Sequence, residues 1–492
     1  MEGFEVESII KELPPTPPKK DVELIMHAYN FALKAHQGQT RFSGEPYFIH
    51  VFETAKNLAR YGMDAETVAA GFLHDTIEDT DATDKELEKE FGKEITNLVK
   101  GVTKLGHVKF RGETRHVESL RKFLMALAQD YRVLMIKLAD RLHNLRTLDH
   151  VRPDKQKRIA LESIEVYAPL ADRLGIGKLK GEIEDAAFAY AYPKEEEMVR
   201  KILSERSEKA KKALGNVYTE LERELKKSNI TVIKIDFRIK HLFSLWKKLE
   251  KYDMNIDKIY DVVALRVVVK SVEECYGVLG LIHSLWKPFP ARIKDYIALP
   301  KINGYQSLHT TIFTGEGELV EIQIRTEEMH GRAEFGIASH YSYKDNSKKN
   351  NRDQKFKWIS EFKNLGESVS ATGDFLNHLK TDFFSDRIFA FTPKGDVIDL
   401  PKDSTPIDFA YTIHSAIGDK ASGAKINGKL VPLDAIIHSS DIVEIVTRKD
   451  GKPKRRWLDF VRTTIAKKHL KTFLNRNKGA EITKLRQSRK LR

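Results

Sequence analysis

The stretch GFLHDTIEDT, residues 71–80, decides how the first part of the chain folds. His74 and Glu78 are four residues apart, and so are Asp75 and Asp79. Residues four apart on a helix lie one above the other, so these four side chains line adjoining faces of one helix. Such a polar stripe needs either water or a ligand opposite it.

The sequence on both sides of this stretch predicts a helical bundle. From residue 21 to about 192, apolar residues recur every three or four positions, with Gly or Pro at the breaks. In KLADRLHNLRTL, residues 137–148, the side chains of Asp140, Asn144 and Thr147 follow helical spacing and form a second polar stripe. We therefore expect an all-α domain that contains a polar site.

Four side chains of this domain are candidate metal ligands: His50, His74, Asp75 and Asp140. Imidazole and carboxylate together suit a divalent ion such as Mn²⁺ or Fe²⁺ better than a structural zinc. Such an ion lowers the pKa of a bound water and polarises a phosphoryl oxygen. The pattern thus indicates metal-assisted attack on a phosphoryl group.

A change of pattern marks a second domain. The charged run of residues 195–228 predicts one or two connecting helices. Short β-branched segments bounded by turns follow it: ITVIKIDFRI (230–239), IYDVVALRVVV (259–269), HTTIFT (309–314) and LVEIQIRT (319–326). They predict an α+β domain with a mixed sheet.

Two strands of this domain carry carboxylates. Asp261 opens one strand, while Glu321, Gln323 and Arg325 alternate with isoleucines on another and so share one face. Carboxylates on neighbouring strands form a Mg²⁺ platform for phosphoryl transfer. The basic residues that could neutralise a triphosphate donor and a nucleotide acceptor are Arg238, Lys240, Lys248, Arg292, Lys294 and Lys301.

Length and composition limit the class of protein. The 492 residues suffice for about three domains. A polar stretch at 344–354, a predicted helix at 354–368 and a small β-rich module at 386–447 follow the α+β domain. No apolar run reaches the roughly 20 residues of a membrane span and no signal-peptide pattern opens the chain, so we expect a cytoplasmic protein. The single cysteine, Cys275, excludes an intrachain disulfide and a zinc site of several cysteines.

The basic character of the chain is concentrated at its end. Residues 448–492 hold 17 Lys and Arg against 3 Asp and Glu, whereas the other residues are almost neutral, at 67 against 68. Trp457, Phe460 and Phe473 lie among these cations. Cations interleaved with aromatic rings suit a polyanion such as RNA, although a solvated helical face is the simpler alternative.

The helical domain resembles the HD hydrolase domain of the RelA/SpoT (Rel) family of stringent-response enzymes. The matching stretches are RFSGEPYFIH (41–50), AAGFLHDTIEDT (69–80) and KLADRLHNLRTL (137–148). The resemblance implies that His50, His74, Asp75 and Asp140 bind Mn²⁺ and that Glu78 and Asp79 orient or deprotonate the attacking water. The implied guanine-nucleotide contacts are Arg41, Ser43, Lys137, Asn144 and Thr147. The implied reaction releases the 3′-pyrophosphate of (p)ppGpp and leaves GDP or GTP.

The α+β domain resembles the synthetase domain of the same family, which is related to nucleotidyltransferases. The matches are FRIKHLFSLWKKL (237–249), YDVVALRV (260–267), RIKDYIALPKINGYQSLHTT (292–311) and VEIQIRTEEMHGRAEFGIASHYSYK (320–344). The resemblance implies Mg²⁺ at Asp261 and Glu321, proton removal from the acceptor's 3′-hydroxyl by Glu321, and stacking of Tyr305 on the acceptor guanine. The implied contacts to ATP and to the acceptor are Arg238, Lys240, Ser244, Lys248, Arg292, Lys294, Lys301, Asn303, Gln306, His309 and Gln323.

Some residues of this domain distinguish it within the family. The segment RIKD, residues 292–295, is the basic form of a motif that is acidic in synthetase-only relatives, which indicates the bifunctional branch. Phe237 and Ala291 stand where relatives have glycine, and Tyr341 replaces a tryptophan. Because a bulky residue restricts the backbone, Phe237 is expected to constrain the segment that grips ATP.

Residues 386–447 resemble a TGS domain, and His414 matches the position that recognises the terminal adenosine of uncharged tRNA. The alternative for His414 is a hydrogen-bonded histidine inside a small core. The resemblance predicts a short multidomain form without the zinc-finger and ACT domains of the family. Its expected parts are a hydrolase domain (1–194), a helical connector (195–228), a synthetase domain (229–372), the TGS domain (386–447) and a basic helical tail (448–492).

Three functions remain open on the sequence alone. The first is a bifunctional enzyme that makes (p)ppGpp from ATP and GDP or GTP and also hydrolyses it, with nucleotide at one site shifting the helices of residues 195–228 and weakening the other site. The second is an HD hydrolase whose synthetase-like domain only binds nucleotide as a regulator. The third is an adaptor that binds tRNA or the ribosome through the TGS-like module and the basic tail.

Overall fold

The computed structural model of the chain consists of two compact units. It describes residues 4–13, 17–106, 130–228, 230–301, 303–314, 319–336, 387–439 and 441–475. The described residues up to 336 belong to the first unit, and those from 387 onward belong to the second. The polar stretch at 344–354, the predicted helix at 354–368, Tyr341 and the last residues of the basic tail lie outside the described residues.

The first part of unit one is helical, as the spacing of its apolar residues predicts. Its helices are α1 (Glu7–Ile10), α2 (Lys19–Ala35), α3 (Phe48–Arg60), α4 (Ala65–Leu73), α5 (Thr76–Asp79), α6 (Asp84–Gly106), α7 (Tyr131–Arg146), α8 (Pro153–Glu162), α9 (Ala168–Arg173), α10 (Gly177–Ala191) and α11 (Pro193–Lys227). A 3-10 turn (Leu148–His150) follows α7, and a π-helical turn (Ser163–Tyr167) joins α8 to α9. Among the described residues, no helix combines the length and the hydropathy that a membrane crossing requires.

The stretch around His74 is not one continuous helix, contrary to the prediction. Helix α4 ends at Leu73 and α5 begins at Thr76, so His74 and Asp75 form a turn between them. The Thr76 hydroxyl donates to the carbonyl oxygen of Leu73 at 2.6 Å, and Nδ1 of His74 bonds the carbonyl oxygen of Gly71 at 2.8 Å. These bonds satisfy carbonyl groups that have no partner at the end of a helix, and so they stabilise the break.

The predicted connector is one helix, α11, and its apolar face is buried in the core of the α+β domain. That core receives Val199, Leu214, Val217, Leu221 and Leu225 from the helix. The side chains of α11 therefore belong to the packing of the sheet that follows, which explains why a run so rich in charge is interrupted by apolar residues at helical spacing.

The α+β domain contains a five-stranded mixed sheet in the order β1-β2-β5-β4-β3. Its strands are β1 (Val232–Ile239), β2 (Val263–Val269), β3 (Lys294–Asp295), β4 (Leu308–Phe313) and β5 (Leu319–Thr326), and its helices are α12 (Leu242–Lys251), α13 (Val272–Leu285) and α14 (Glu327–Phe335). Strands β2 and β5 are parallel, and the other neighbours are antiparallel. Short 3-10 turns lie at Ile256–Lys258 and Pro290–Arg292. The short strand β3 was not predicted.

One face of this sheet is apolar and packs against α11, α12 and α13. Leu265 and Val267 of β2 and Ile322 and Ile324 of β5 are fully buried there, and Cys275 of α13 joins the same core as a free thiol. Because side chains alternate along a strand, the residues between them point to the opposite face. That face carries the polar side chains of the strands.

The second unit is a β-rich module with two short helices. Strands β8 (Ala421–Ile426), β9 (Lys429–Val431) and β10 (Val443–Thr447) form one sheet in the order β10-β8-β9, and β6 (Arg387–Phe391) pairs with β7 (Val397–Pro401). The helices are α15 (Pro406–Ile413) and α16 (Ser415–Asp419). A 3-10 turn at Arg455–Asp459 and a helical segment at 464–475 follow the last strand.

Trp457 is buried in the core of this unit, so its ring is not available to stack on RNA. It is 1% exposed and packs with Ile407, Tyr411 and Leu470. Phe460 is partly buried against the same core. The prediction that Trp457 interleaves with the cations as an RNA-facing residue is therefore wrong, because the sequence after strand β10 returns to cover helix α15.

Asp408 joins the module to the segment that follows it. One oxygen of its fully buried carboxylate accepts bonds from the backbone N–H and the hydroxyl of Thr405, each at 2.9 Å. The other oxygen accepts from the N–H of Arg462 at 2.9 Å and from the N–H and hydroxyl of Thr463 at 2.7 and 2.9 Å. A single side chain thus satisfies donors from two distant parts of the chain.

We predict that Asp408→Asn destabilises the second unit by about 2–3 kcal/mol, because the amide group turns one acceptor into a donor facing other donors. Hydrogen exchange followed by mass spectrometry over residues 387–475 measures this loss. Asp434→Asn, at an exposed position of the same unit, is the matched control and should change stability by no more than about 0.5 kcal/mol. Unchanged exchange in Asp408→Asn would contradict the role given to Asp408.

Candidate functional sites

The helical domain gathers four candidate ligands from separate elements. His50 comes from α3, His74 and Asp75 from the turn between α4 and α5, and Asp140 from α7. Nε2 of His50 lies 3.3 Å from an oxygen of Asp140 and 3.4 Å from Oδ2 of Asp75, and Nε2 of His74 lies 3.1 Å from the same Asp75 oxygen. Ligand atoms of His50, His74 and Asp140 all lie within 4.8 Å of one another.

His74 provides the clearest sign that this cluster suits a cation. Its Nδ1 bonds the carbonyl oxygen of Gly71, so Nδ1 carries a proton and Nε2 is the ring nitrogen that faces the carboxylates and could bind a cation. Nε2 is buried and lies 3.1 Å from Oδ2 of Asp75, but among the described residues it makes no hydrogen bond of good geometry. A buried nitrogen without a partner is costly unless something binds it. Two imidazoles with carboxylates beside them suit a divalent metal ion.

The charges of the cluster reinforce this conclusion. Burial alone would lower the pKa of His74, but Asp75 and Asp140 outweigh it and raise that pKa to about 9. Burial would raise the pKa of Asp75, yet the two histidines hold it well below its ordinary value. The pKa of Asp140 is likewise lowered in spite of burial, mainly by the ammonium group of Lys137. Both carboxylates are therefore ionised at neutral pH and attract a cation.

Two further residues contact the cluster, and the sequence analysis missed both. The Tyr47 hydroxyl lies 2.8 Å from Asp75 and 2.7 Å from Asp79, and burial together with these carboxylates raises its pKa. Nδ1 of His143 lies 2.9 Å from Nδ1 of His50. Burial, His50 and Arg41 lower the pKa of His143 to about 3, so this ring is neutral. The available signal was position, since both residues lie inside the stretches 41–50 and 137–148.

Most of the predicted nucleotide contacts of this domain form one network. Arg41 donates to Asn144 at 2.6 Å and to Thr147 at 3.0 Å. Asn144 donates to Asp140 at 2.5 Å, and Lys137 donates to the other oxygen of Asp140 at 2.7 Å. The network therefore connects a metal-ligand candidate to the rim of the site.

The structure also places the two remaining predicted residues of the helical domain. The Ser43 hydroxyl bonds Glu45 within its own turn, at 3.3 Å. Glu78 lies on α5 with an exposed side chain, next to Asp79.

The polar face of the mixed sheet holds a second candidate site. Asp261 lies two residues before β2 rather than at its start, and it pairs with Lys240 at 2.5 Å and with Lys248 of α12. Burial lowers the pKa of Lys240 to about 8, although Asp261 opposes this. Burial would raise the pKa of Asp261, but the two lysines lower it. An ionised carboxylate and two cations thus share one partly buried position.

Glu321 stands at the centre of a second polar group on the same face. Its Oε1 lies 3.1 Å from Nδ1 of His309 and accepts from Gln323 at 2.9 Å. Nε2 of His309 lies 2.8 Å from the Tyr305 hydroxyl. Burial and the charge of Asp261 would raise the pKa of Glu321, but His309 and Gln323 outweigh them and lower that pKa. Glu321 is therefore ionised and able to accept a proton.

The other predicted residues of this domain surround the two groups. Nζ of Lys301 lies over the rings of Tyr296 and Tyr305, 4.8 and 5.1 Å from their centroids. The guanidinium of Arg292 lies 5.5 Å from the ring of Tyr260, and Lys294 pairs with His309 across β3 and β4. Tyr260 and Tyr296 are contacts that the sequence analysis did not name.

Other candidates of this domain bond mainly to their own surroundings. Asn303 accepts from the N–H of Tyr305 at 3.2 Å, and Gln306 donates to the carbonyl of Ile297 at 3.2 Å. Ser244 lies 3.5 Å from Glu184 of α10. Arg238 is on β1, and its charge helps to lower the pKa of His309, for which burial is the main cause.

Phe237 does not disturb the backbone that follows it. It lies in the regular part of β1, opposite Leu265, and its side chain is 46% exposed. Its ring lies 5.9 Å from the ring of Tyr218 on α11. Phe237 is not among the residues with a positive φ, so the conformational freedom of glycine is not required there. Ala291 lies in the 3-10 turn before β3.

His414 of the second unit is exposed, so the alternative of a histidine inside a small core is wrong. It separates α15 from α16, and its Nδ1 accepts from the N–H of Ala416 at 3.1 Å. The ring thus caps a short helix, with its remaining edge toward solvent.

Three family profiles match the chain. The HD domain matches residues 28–177, the region found in RelA / SpoT proteins matches 237–348, and the TGS domain matches 388–447. These ranges fall in the helical domain, the α+β domain and the second unit in that order. The predicted fold classes of the three parts are confirmed.

Curated relatives match over most of the chain. The guanosine-3′,5′-bis(diphosphate) 3′-pyrophosphohydrolase of Aquifex aeolicus is 45% identical over 92% of this chain and 65% of its own length. The GTP pyrophosphokinase of Myxococcus xanthus is 42% identical over 95% of this chain and 62% of its own length. The bifunctional (p)ppGpp synthase/hydrolase SpoT of Escherichia coli is 41% identical over 95% of this chain.

The chain spans between 62% and 67% of the length of these three relatives. It covers 67% of the Escherichia coli protein, and the region found in RelA / SpoT proteins coincides with the mixed sheet and its polar face. The chain therefore belongs to the RelA/SpoT family.

Proposed function

We propose that this chain both hydrolyses and makes (p)ppGpp, using the helical domain for hydrolysis and the α+β domain for synthesis. The observation that carries the proposal is the buried group of His50, His74 and Asp140, whose ligand atoms converge, with the carboxylate of Asp75 beside Nε2 of His74. A chain that only bound RNA would gain nothing from burying such a cluster at the cost of its desolvation. The names of its relatives support the same pair of activities.

For hydrolysis, His50, His74, Asp75 and Asp140 would hold the metal ion, and we propose Mn²⁺. Once bound, the ion supplies positive charge beside the phosphoryl group and acidifies a water. Asp79 would receive the proton of the attacking water, with Glu78 beside it, and the Tyr47 hydroxyl between Asp75 and Asp79 would keep Asp79 in place.

The substrate would be held at the rim of the same site. Arg41 is fixed by Asn144 and Thr147, and its guanidinium provides donors for the guanine nucleotide or its phosphates. Lys137 balances the charge of Asp140 and remains close to the phosphoryl group to be cleaved.

We predict that Asp75→Asn lowers the rate of ppGpp hydrolysis by about 100-fold or more, because a ligand to an ion that contributes several kcal/mol is lost. Release of pyrophosphate and GDP from labelled ppGpp with Mn²⁺ measures this. Asp81→Asn is the matched control, since Asp81 is exposed and lies six residues away. Equal rates in the Asp75 variant and the wild type would contradict the proposal that Asp75 holds a metal ion needed for hydrolysis.

For synthesis, the polar face of the mixed sheet would bind both nucleotides, with Mg²⁺ at Asp261 and Glu321. Lys240 and Lys248 would exchange part of their contact with Asp261 for the phosphates of ATP. Glu321, ionised and held by His309 and Gln323, would take the proton from the acceptor's 3′-hydroxyl. Positioning and charge neutralisation would then account for most of the rate.

We predict that Asp261→Asn reduces transfer of pyrophosphate from ATP to GDP by about 100-fold or more while ppGpp hydrolysis continues. Chromatography of labelled GDP incubated with ATP and Mg²⁺ measures the transfer. Asp253→Asn is the matched control, because Asp253 is exposed and has a positive φ that asparagine also adopts. If the wild type hydrolyses ppGpp but never synthesises it, the second domain is a nucleotide-binding regulator instead.

A contact with RNA through the second unit is a further candidate function. It is favoured by the exposed His414 and by the excess of Lys and Arg in residues 448–492. Uncharged tRNA and the ribosome are the partners that we propose for this surface. Because Trp457 is buried, the groups that we propose for RNA contact are the Lys and Arg side chains and the exposed edge of the His414 ring.

We also propose that the two sites influence each other through helix α10. Glu182 of this helix accepts from Arg60 of α3 at 2.5 Å and from Arg146 of α7 at 2.6 Å. Asp185, one turn later, bonds His241 at 2.7 Å and caps α12 through the N–H of Phe243. Helix α10 therefore contacts elements that carry both candidate sites. The buried apolar face of the connector α11, in contrast, packs in the core of the α+β domain.

We predict that a nonhydrolysable ATP analogue with GDP lowers the rate of ppGpp hydrolysis by about fivefold or more, a typical coupling between sites. Glu182→Gln should weaken this effect, because it loosens the link to α7. Glu197→Gln, exposed on α11, is the matched control. If the analogue leaves the hydrolysis rate unchanged, the two sites are not coupled. If Glu182→Gln shows the same inhibition as the wild type, the coupling does not pass through Glu182 of α10.

A further inference from the structure

His143 lies where it can determine which nitrogen of His50 carries a proton. The Nδ1 atoms of the two rings are 2.9 Å apart, and both side chains are buried. Two ring nitrogens at this distance form a hydrogen bond only when one carries a proton and the other a lone pair. The contact therefore couples the tautomers of the two rings.

Arg41 indicates the direction of this hydrogen bond. Its Nη1 lies 3.4 Å from Nδ1 of His143, and a guanidinium donates but never accepts. Nδ1 of His143 is therefore the acceptor for both neighbours, and the proton lies on Nδ1 of His50. In the neutral ring the lone pair then lies on Nε2, the nitrogen that is 3.4 and 3.3 Å from the carboxylates of Asp75 and Asp140.

We propose that His143 is a positioning residue that accepts a hydrogen bond from His50 and so keeps the lone pair of His50 Nε2 directed at the metal cluster. This inference rests on the proposed hydrolase function. Imidazole ligands in proteins usually donate their second N–H to a carboxylate, a carbonyl or water, and here Nδ1 of His143 takes that place. Nδ1 of His143 faces His50, and among the described residues the ligand atoms that converge belong to His50, His74 and Asp140.

The arrangement also connects the metal ligand to the nucleotide contacts. Arg41 bonds Asn144 and Thr147 and approaches the same nitrogen of His143. A displacement of Arg41 on nucleotide binding would therefore change the hydrogen bond of His50, because both residues share Nδ1 of His143 as acceptor. Both the affinity for the metal and the KM for nucleotide are expected to depend on His143.

Substitutions at position 143 separate the acceptor from the packing. His143→Leu keeps a buried apolar side chain but removes the acceptor, whereas His143→Asn can place an amide oxygen near the position of Nδ1. Electron paramagnetic resonance of free Mn²⁺ measures the affinity of the whole chain for the metal alone. We expect His143→Leu to bind Mn²⁺ about 10- to 100-fold more weakly and His143→Asn to recover most of the loss. His150→Leu, at a largely exposed histidine seven residues on, should bind as the wild type does.

Equal Mn²⁺ affinity in His143→Leu and the wild type would overturn the inference and leave the proposed hydrolase function intact. A wild-type chain that binds no Mn²⁺ would overturn both. A second measurement does not depend on the folding of the leucine variant. Nitrogen-15 NMR of the wild-type chain with Zn²⁺ as a diamagnetic probe shows which ring nitrogen of each histidine carries a proton, and His50→Gln assigns the His50 signals. We expect the proton of His50 on Nδ1, and a proton on Nε2 would overturn the inference.

Discussion

The attraction between buried histidines and buried carboxylates in the helical domain is the constraint on which the rest of unit one depends. His50, His74, Asp75 and Asp140 come from three separate parts of the bundle. Three of them are buried and Asp75 is partly buried, so all four lose hydration on folding. Such groups are tolerated only when they face one another or share a cation. The turn at His74 and Asp75 serves this requirement, because a continuous helix would not bring His74 and Asp75 to one point.

The α+β domain solves a similar problem with a different geometry. Its sheet has one apolar face and one polar face, so carboxylates and cations can be concentrated without interrupting the core. Asp261 has two lysines beside it, while Glu321 has a histidine and an amide. The first arrangement places two ammonium groups beside one carboxylate, and the second holds a carboxylate by an imidazole and an amide. Helix α10 contacts elements of both domains, which together form one compact unit.

The sequence predicted the parts of this architecture that follow from periodicity. The helical domain, the four long strands and the β-rich module could be placed because apolar residues repeat every three to four or every two positions. The candidate metal ligands could be named because they stand in dense motifs. The break at His74 was missed, since side-chain bonds such as that of Thr76 to Leu73 compete locally with the helix and leave its periodicity unchanged.

Other features depend on contacts between distant residues and could not be predicted. Trp457 looks like an exposed aromatic residue among cations, yet it covers helix α15 because the chain folds back. Asp408, Tyr47 and His143 gain their roles from partners that lie far away in the sequence. Phe237 was expected to constrain the backbone, but its position in a strand removes that concern. Tertiary packing decided each of these cases.

The most direct measurement of the central claim is anomalous X-ray diffraction from crystals of this chain soaked with Mn²⁺, recorded on both sides of the manganese absorption edge. The account predicts an anomalous peak in contact with His50, His74 and Asp140, bound by Nε2 of both histidines. Manganese bound elsewhere with no peak between these side chains would contradict it, because the buried charges would then need another explanation.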